Sequence, residues 1–133
     1  MPKNILYIED NPDNMLLVKR VLVSRGYSLL EAKDGMEGLS VATNQKVDLV
    51  LLDINLPDID GYEVARRLRG SGKPELTYVP IIAITANALK GDAEKALQAG
   101  CDVYMSKPIN IRELWARVEG LLPSSDVEPI APD

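Results

Sequence analysis

The side chains best able to do chemistry in this chain stand at the ends of oily runs. Glu9 and Asp10 follow Asn4 to Ile8 (NILYI), and Asp53 follows Val47 to Leu52 (VDLVLL). Thr85 and Ala86 follow Val79 to Ile84 (VPIIAI), and Ser106, Lys107 and Pro108 follow Asp102 to Met105 (DVYM). Carboxylates, a hydroxyl and a compact ammonium are the parts needed to receive and hold a phosphoryl group. The chain contains no histidine, so imidazole is excluded as base, metal ligand or phosphoryl carrier. Two unit charges about 4 Å apart repel by roughly 4 kcal/mol at an effective dielectric of 20. Three carboxylates gathered at one place therefore call for a cation. Two acids and a backbone carbonyl suit Mg2+, or Mn2+ in its place, because such an ion keeps several waters; Glu9 acts through one of these waters.

What gathers the acids is the order of the elements. Asn4 to Ile8, Tyr27 to Ala32, Val47 to Leu52, Val79 to Ile84 and Asp102 to Met105 have the length and apolarity of strands, and a helix-like segment follows each. In the first helix Met15, Val18 and Leu22 share one line, with Leu17 and Val21 beside it. In the last, Ile111, Leu114, Trp115, Val118, Leu121 and Leu122 form one stripe, and Trp115 is expected in the core. Gly26 and Gly100 stand where helices stop, and Asp34, Asp60 and Asn110 where helices begin. Strict alternation predicts right-handed crossovers and a doubly wound, five-stranded parallel α/β sheet of order 2-1-3-4-5, the flavodoxin-like (βα)5 arrangement. Ligands of such sheets bind beyond the strand C-termini where the order reverses, between strands 1 and 3. Glu9, Asp10 and Asp53 are the residues at that point.

Composition limits the setting. With 133 residues, 46% of them hydrophobic, the chain makes one domain, expected over 1–122. Residues 123–133 (PSSDVEPIAPD) read as a disordered, acidic and proline-rich tail. A net charge of −5 disfavours nucleic acid as a direct partner. One cysteine, Cys101, and the lack of a long apolar run point to a cytoplasmic protein without a membrane partner. Cys101 is expected to be a partly buried, unreactive thiol.

The motifs ILYIEDN, LVLLDINLPDIDGYE, IIAITANA and YMSKPI together resemble the receiver domain of two-component response regulators, over residues 3 to about 122. By that resemblance Asp53 is the phosphoacceptor. Asp10, Asp53 and the carbonyl of Asn55 hold Mg2+, with Glu9 contributing through water. Lys107 pairs with the phosphoryl oxygens, Thr85 closes on the aspartyl phosphate, and Tyr104 is the aromatic that moves inward with Thr85. The Lys107–Pro108 bond is expected to be cis. Asn55 and Asn87 flank the path of hydrolytic water; neither is an acid, which implies a moderately long-lived phosphoryl group. The implied donor is a histidine kinase or a histidine phosphotransfer protein, docking near Asn11, Pro12, Met15 and Pro108, although Met15 reads more simply as a core residue. The implied output is a downstream protein bound by the face of the fourth helix, fifth strand and fifth helix, on or near which lie Ala86 to Leu89, Tyr104 and Ile109. The chain modifies itself and is not expected to turn over a substrate.

A flavin protein of the same topology needs a glycine- and hydroxyl-rich loop after strand 1, where this chain has EDNPDN, whose acids repel a phosphate ester. A haloacid-dehalogenase-like phosphatase carries its nucleophile after the first strand, with an acid two residues later. Here the nucleophile follows the third strand and Asn55 stands two residues on. A phosphorylation-independent interaction module would not need all five pocket residues. A receiver excised from a hybrid histidine kinase is the competing arrangement to a free-standing receiver.

Overall fold

The computed structural model describes residues 2–86 and 91–122. Five strands alternate with helices: β1 (Asn4–Ile8), α1 (Pro12–Ser24), β2 (Ser28–Ala32), α2 (Gly35–Asn44), β3 (Leu49–Asp53), α3 (Gly61–Arg69), α4 (Pro74–Thr77), β4 (Ile81–Thr85), α5 (Asp92–Gln98), β5 (Val103–Ser106) and α6 (Ile111–Leu121). All strand pairs are parallel and the order is β2-β1-β3-β4-β5. The alternation thus becomes the doubly wound sheet it predicts. The difference is α4, a single turn that begins with Pro74 and buries Leu76. Four residues are too few to show a helical period, so the expected fourth and fifth helices are α5 and α6 here.

β1 coincides with its apolar run, whereas β2 to β5 begin slightly further along the chain than theirs. Val47, Val79 and Tyr27 are buried but precede the ladders, while Asp53, Thr85 and Ser106 complete them. Apolarity marks burial and the ladder marks register, so the two need not share ends.

Successive side chains of each strand enter opposite cores. Leu6, Ile8, Val50, Leu52, Ile81 and Ala83 pack in one core with Val64, Ala65 and Ala96. Ile5, Tyr7, Leu49, Leu51, Ile82 and Ile84 pack in the other with Val18, Leu22, Leu114 and Val118. β3 and β4 are buried along their whole length, as central parallel strands covered on both faces must be. Met15, Val18 and Leu22 are the buried line of α1, whereas Leu17 faces solvent.

Asp34, Asp60 and Asn110 each accept a backbone N–H from the third residue beyond, from Glu37, Glu63 and Glu113, which satisfies an otherwise orphaned donor. Gly26 and Gly100 turn the chain out of α1 and α5 with φ of 94° and 105°, a region that costs residues with a Cβ. Trp115 is half-buried instead of central, with the Arg25 guanidinium 4.1 Å from its ring. An indole at the rim can keep a cation on its face, which full burial would forbid. Cys101 is buried, and that burial pushes its thiol up to about 11. The expected tail, 123–133, lies outside the described residues. No described helix is long and apolar enough to cross a membrane.

Candidate functional site

β1, β3 and β5 each extend their ladder by one residue beyond the sheet. The Glu9 N–H donates to Ala32 O at 2.9 Å, the Ile54 N–H to Ile84 O at 2.9 Å, and the Lys107 N–H to Thr85 O at 2.8 Å. The loops therefore leave the edge in fixed directions. Alternation then sorts the side chains. Glu9, Asp53 and Lys107 continue the parity of Tyr7, Leu51 and Met105, toward α1 and α6; Thr85 continues that of Ile81 and Ala83, toward α5.

Asp53 is 1% exposed. Its Oδ1 accepts the Asn55 N–H at 2.9 Å and its Oδ2 accepts Lys107 Nζ at 2.9 Å. Glu9, 2% exposed, is held at both oxygens. Oε1 accepts the Tyr7 hydroxyl at 2.9 Å and lies 3.4 Å from Lys107 Nζ, while Oε2 accepts the Asn11 N–H at 3.1 Å. One oxygen from each of Glu9, Asp10 and Asp53 lies within 4.8 Å of the others, and Asp10 is exposed. Three acids thus face one ammonium.

The imbalance shows in the proton affinities. Burial, and then the charge of Asp53, raise the Glu9 carboxyl above its ordinary value, against the Asn11 N–H and Lys107 that lower it. Burial pulls Lys107 down, but its hydrogen bond and attraction to Asp53, and the charge of Glu9, outweigh this and hold it above the usual lysine value. Burial and the neighbouring Glu9 raise the Tyr7 phenol, which stays neutral and donating.

Three hard oxygens with one acid open to water fit a divalent ion that keeps part of its hydration shell, and their surplus negative charge is what such an ion neutralises. No soft ligand stands among them, and an Asn or backbone carbonyl is of the same hard class.

Thr85, the last residue of β4, is 2% exposed and in register with Ser106. Tyr104 is in register with Ala83 and packs, half-buried, against the core beneath α2, α3 and α5. The Asn55 side-chain oxygen accepts the Ala86 N–H at 3.3 Å, joining the loops that follow β3 and β4. The Lys107–Pro108 peptide is cis. Of the other residues singled out in the sequence, Asn11 caps α1 by accepting the Asn14 N–H at 3.0 Å, and Met15 is 8% exposed. Pro12 and Met15 line a cavity of about 400 Å³ that opens beside Glu9 and Asp10. Asn87, Ala88 and Leu89 lie outside the described residues.

Sequence reasoning missed Tyr7. A signal was present: a residue two before Glu9 in a strand shares its face, and a buried phenol needs a partner for its hydroxyl. Asp58 lies in the loop after β3, yet its two oxygens accept the Gly35 and Met36 N–H groups at 2.8 Å each, at the start of α2. No local pattern announces that bond.

The profile of the response regulator receiver domain matches residues 5–119. The polar-differentiation response regulator DivK of Brucella anthropi is 41% identical over 122 residues, 92% of this chain and 98% of that protein. A solved receiver domain of the sensor histidine kinase PA1611 from Pseudomonas aeruginosa, with a magnesium ion coordinated in its active-site cleft, is 39% identical. It covers 91% of this chain and 98% of its own, with a TM-score of 0.82. The chemotaxis protein CheY4 of Vibrio cholerae, 23% identical with a TM-score of 0.85 over 92% of this chain and 100% of its own, shares the fold.

Proposed function

This chain belongs to the response regulator receiver domains of two-component signalling, and from that premise we propose that Asp53 is its phosphoacceptor and that its output is contact with another protein. The observation that carries the reading is the buried carboxylate of Asp53, 1% exposed, paired with Lys107 at 2.9 Å beside two further acids. A carboxylate kept from water but charged is a competent nucleophile, and a strand terminus keeps it in one position.

A carboxylate oxygen of Asp53 attacks the phosphorus of a phosphohistidine. The O–P bond forms as the P–N bond breaks, and the imidazole leaves with the electron pair and is protonated from solvent. The chain has no histidine, so the donor residue belongs to a histidine kinase or histidine phosphotransfer protein. Asp10, Asp53 and the carbonyl of Asn55, with Glu9 through water, would hold Mg2+, or Mn2+, which would neutralise charge on the phosphoryl oxygens. Lys107 leaves the Asp53 oxygen to pair with the transferred group, and Thr85 donates its hydroxyl to it. Contacts that exist only in the phosphorylated state shift the population between two packings of α5, β5 and α6, and Tyr104 moves inward as Thr85 does. A downstream protein reads that face, in the cytoplasm, without direct contact with nucleic acid or membrane. Asn55, an amide and not an acid, does not activate a hydrolytic water, so the phosphoryl group persists and no substrate is turned over.

Incubation with a small phosphodonor and Mg2+, followed by intact mass measurement, tests this reading. One added phosphoryl group is expected, and none on Asp53→Asn. Undiminished addition to that variant sinks the assignment. The similarity to a receiver from a sensor histidine kinase favours a second arrangement, in which the same site takes its phosphoryl group from a kinase on its own polypeptide. An antibody against this domain would then detect a product well above 14.6 kDa in the source cells.

A further inference from the structure

Tyr7 is fully buried in β1, in register with Glu31 on β2 and Leu51 on β3. The core cluster it belongs to is mostly aliphatic, Ile5, Leu49, Leu51, Ile82 and Ile84 among its members, so packing alone gives no reason for a hydroxyl there. A phenol buried in such surroundings costs free energy unless its hydroxyl finds a partner. It finds Glu9, donating to Oε1 at 2.9 Å. Residues two apart in a strand share a face, so the ring runs from the core toward the sheet edge and meets the acid from the protein side. The other oxygen of Glu9 accepts the Asn11 N–H at 3.1 Å. With a hydrogen-bond donor on each oxygen, and Lys107 further off from Oε1, the carboxylate cannot turn without losing a bond. An aliphatic residue at position 7 would fill the core as well and leave Oε1 with Lys107 alone, at 3.4 Å.

We propose that Tyr7 is a positioning residue for the divalent cation: its hydroxyl locks Glu9 in the orientation that faces Asp10 and Asp53, so Mg2+ affinity depends on a side chain that does not reach the ion. The inference rests on reading the acid cluster as a Mg2+ site. Partners that orient a ligand group without touching the metal typically change metal affinity about 10- to 100-fold when removed.

Calorimetric titration of the full chain with Mg2+, without phosphodonor, tests it on wild type, Tyr7→Phe, Glu9→Gln and the double variant. The phenylalanine keeps the ring and removes only the oxygen. Tyr7→Phe is expected to raise the Mg2+ Kd about 10-fold, and to change it less than about twofold once Glu9 is glutamine. A Kd for Tyr7→Phe within about twofold of wild type while Glu9→Gln weakens binding overturns the proposal. So does equal weakening in both backgrounds, since the effect would then not pass through Glu9. A wild type that binds no Mg2+ removes the metal reading itself, and the positioning role with it. An independent measurement needs no variant: the Tyr7 hydroxyl proton of wild type should exchange slowly in proton NMR and shift with Mg2+ at the calorimetric midpoint. A hydroxyl that exchanges freely, or whose shift ignores Mg2+, also overturns it.

Discussion

Where the strands begin, Arg69 at the end of α3 is matched group for group. Its Nε and Nη2 donate to Gly100 O at 2.9 and 2.7 Å, and Nη1 to the carbonyls of Leu76, Thr77 and Val79 at 3.1, 3.1 and 2.6 Å. Its one acid, Asp102, is 2.9 Å away and also accepts the Ile81 N–H at 2.8 Å. Where the strands end, Lys107 faces Asp53 and Glu9 at 2.9 and 3.4 Å, with Asp10 close by. The Arg69 cluster is neutral and saturated; the Lys107 cluster carries more negative charge than its lysine cancels. A saturated network holds parts together and has nothing left to bind with, whereas a surplus of one sign costs stability and attracts what would neutralise it. The charge balance, and not the burial of charge as such, separates the structural cluster from the functional one.

The sharpest way to break this contrast is a pair of substitutions. Arg69→Met removes the partner of four carbonyls and of Asp102, and is expected to lower unfolding free energy by about 3 kcal/mol in denaturant titration. The folded fraction should still take up a phosphoryl group. Asp53→Asn should do the opposite, losing phosphorylation while leaving stability without Mg2+ unchanged or raised, because it removes one of the repelling charges. A loss of several kcal/mol in Asp53→Asn would show that the acids are structural after all.

Gly61 sharpens the contrast from the backbone side. A Cβ there would stand 2.7 Å from both Asp53 O and Ile54 Cα, so α3 can approach the end of β3 only without a side chain. Gly61→Ala must displace main chain, at about 2 kcal/mol in thermal unfolding. The same shift moves Asp53, so the rate of phosphorylation of the folded protein should fall as well. A slower rate with unchanged stability, or the reverse, would separate two effects that the geometry joins.

The smallest effect concerns an acid at the functional edge that is not in surplus. Burial works to raise the Asp58 carboxyl, but the Met36 and Gly35 N–H groups, with those of Ile59 and Asp58 itself, together outweigh this and hold it below its ordinary 3.8. A carboxyl lowered by folding stabilises above its unfolded value and loses that contribution as pH falls through its folded value. Asp58→Ala should therefore cost about 1 kcal/mol at pH 7, and the difference from wild type should shrink as the pH falls below the ordinary 3.8 and through the lower folded value. A difference that persists at lower pH would mean that contacts other than the Gly35 and Met36 hydrogen bonds hold α2.

The sequence by itself determined the alternation of elements, the caps at Asp34, Asp60 and Asn110, the parallel order, and the edge at which Glu9, Asp10, Asp53, Thr85 and Lys107 emerge. Each depends on periodicity or on a residue's own backbone preference, and such signals are complete within a few residues. Only the tertiary structure decided that the Tyr7 hydroxyl meets Glu9, that Asp58 reaches the start of α2, that Arg69 joins α3 to the segments before β4 and β5, and that Trp115 rests under Arg25 at the rim. Apart from the Tyr7–Glu9 bond and the bonds of Arg69 to the segment before β4, these contacts join segments far apart in the chain. The long-range ones need the register of the strands and the placement of the helices before a donor can know its acceptor. Where charge is matched and where it is left in surplus is a property of those long-range pairings, because local patterning says which side chains are buried but not which ones meet.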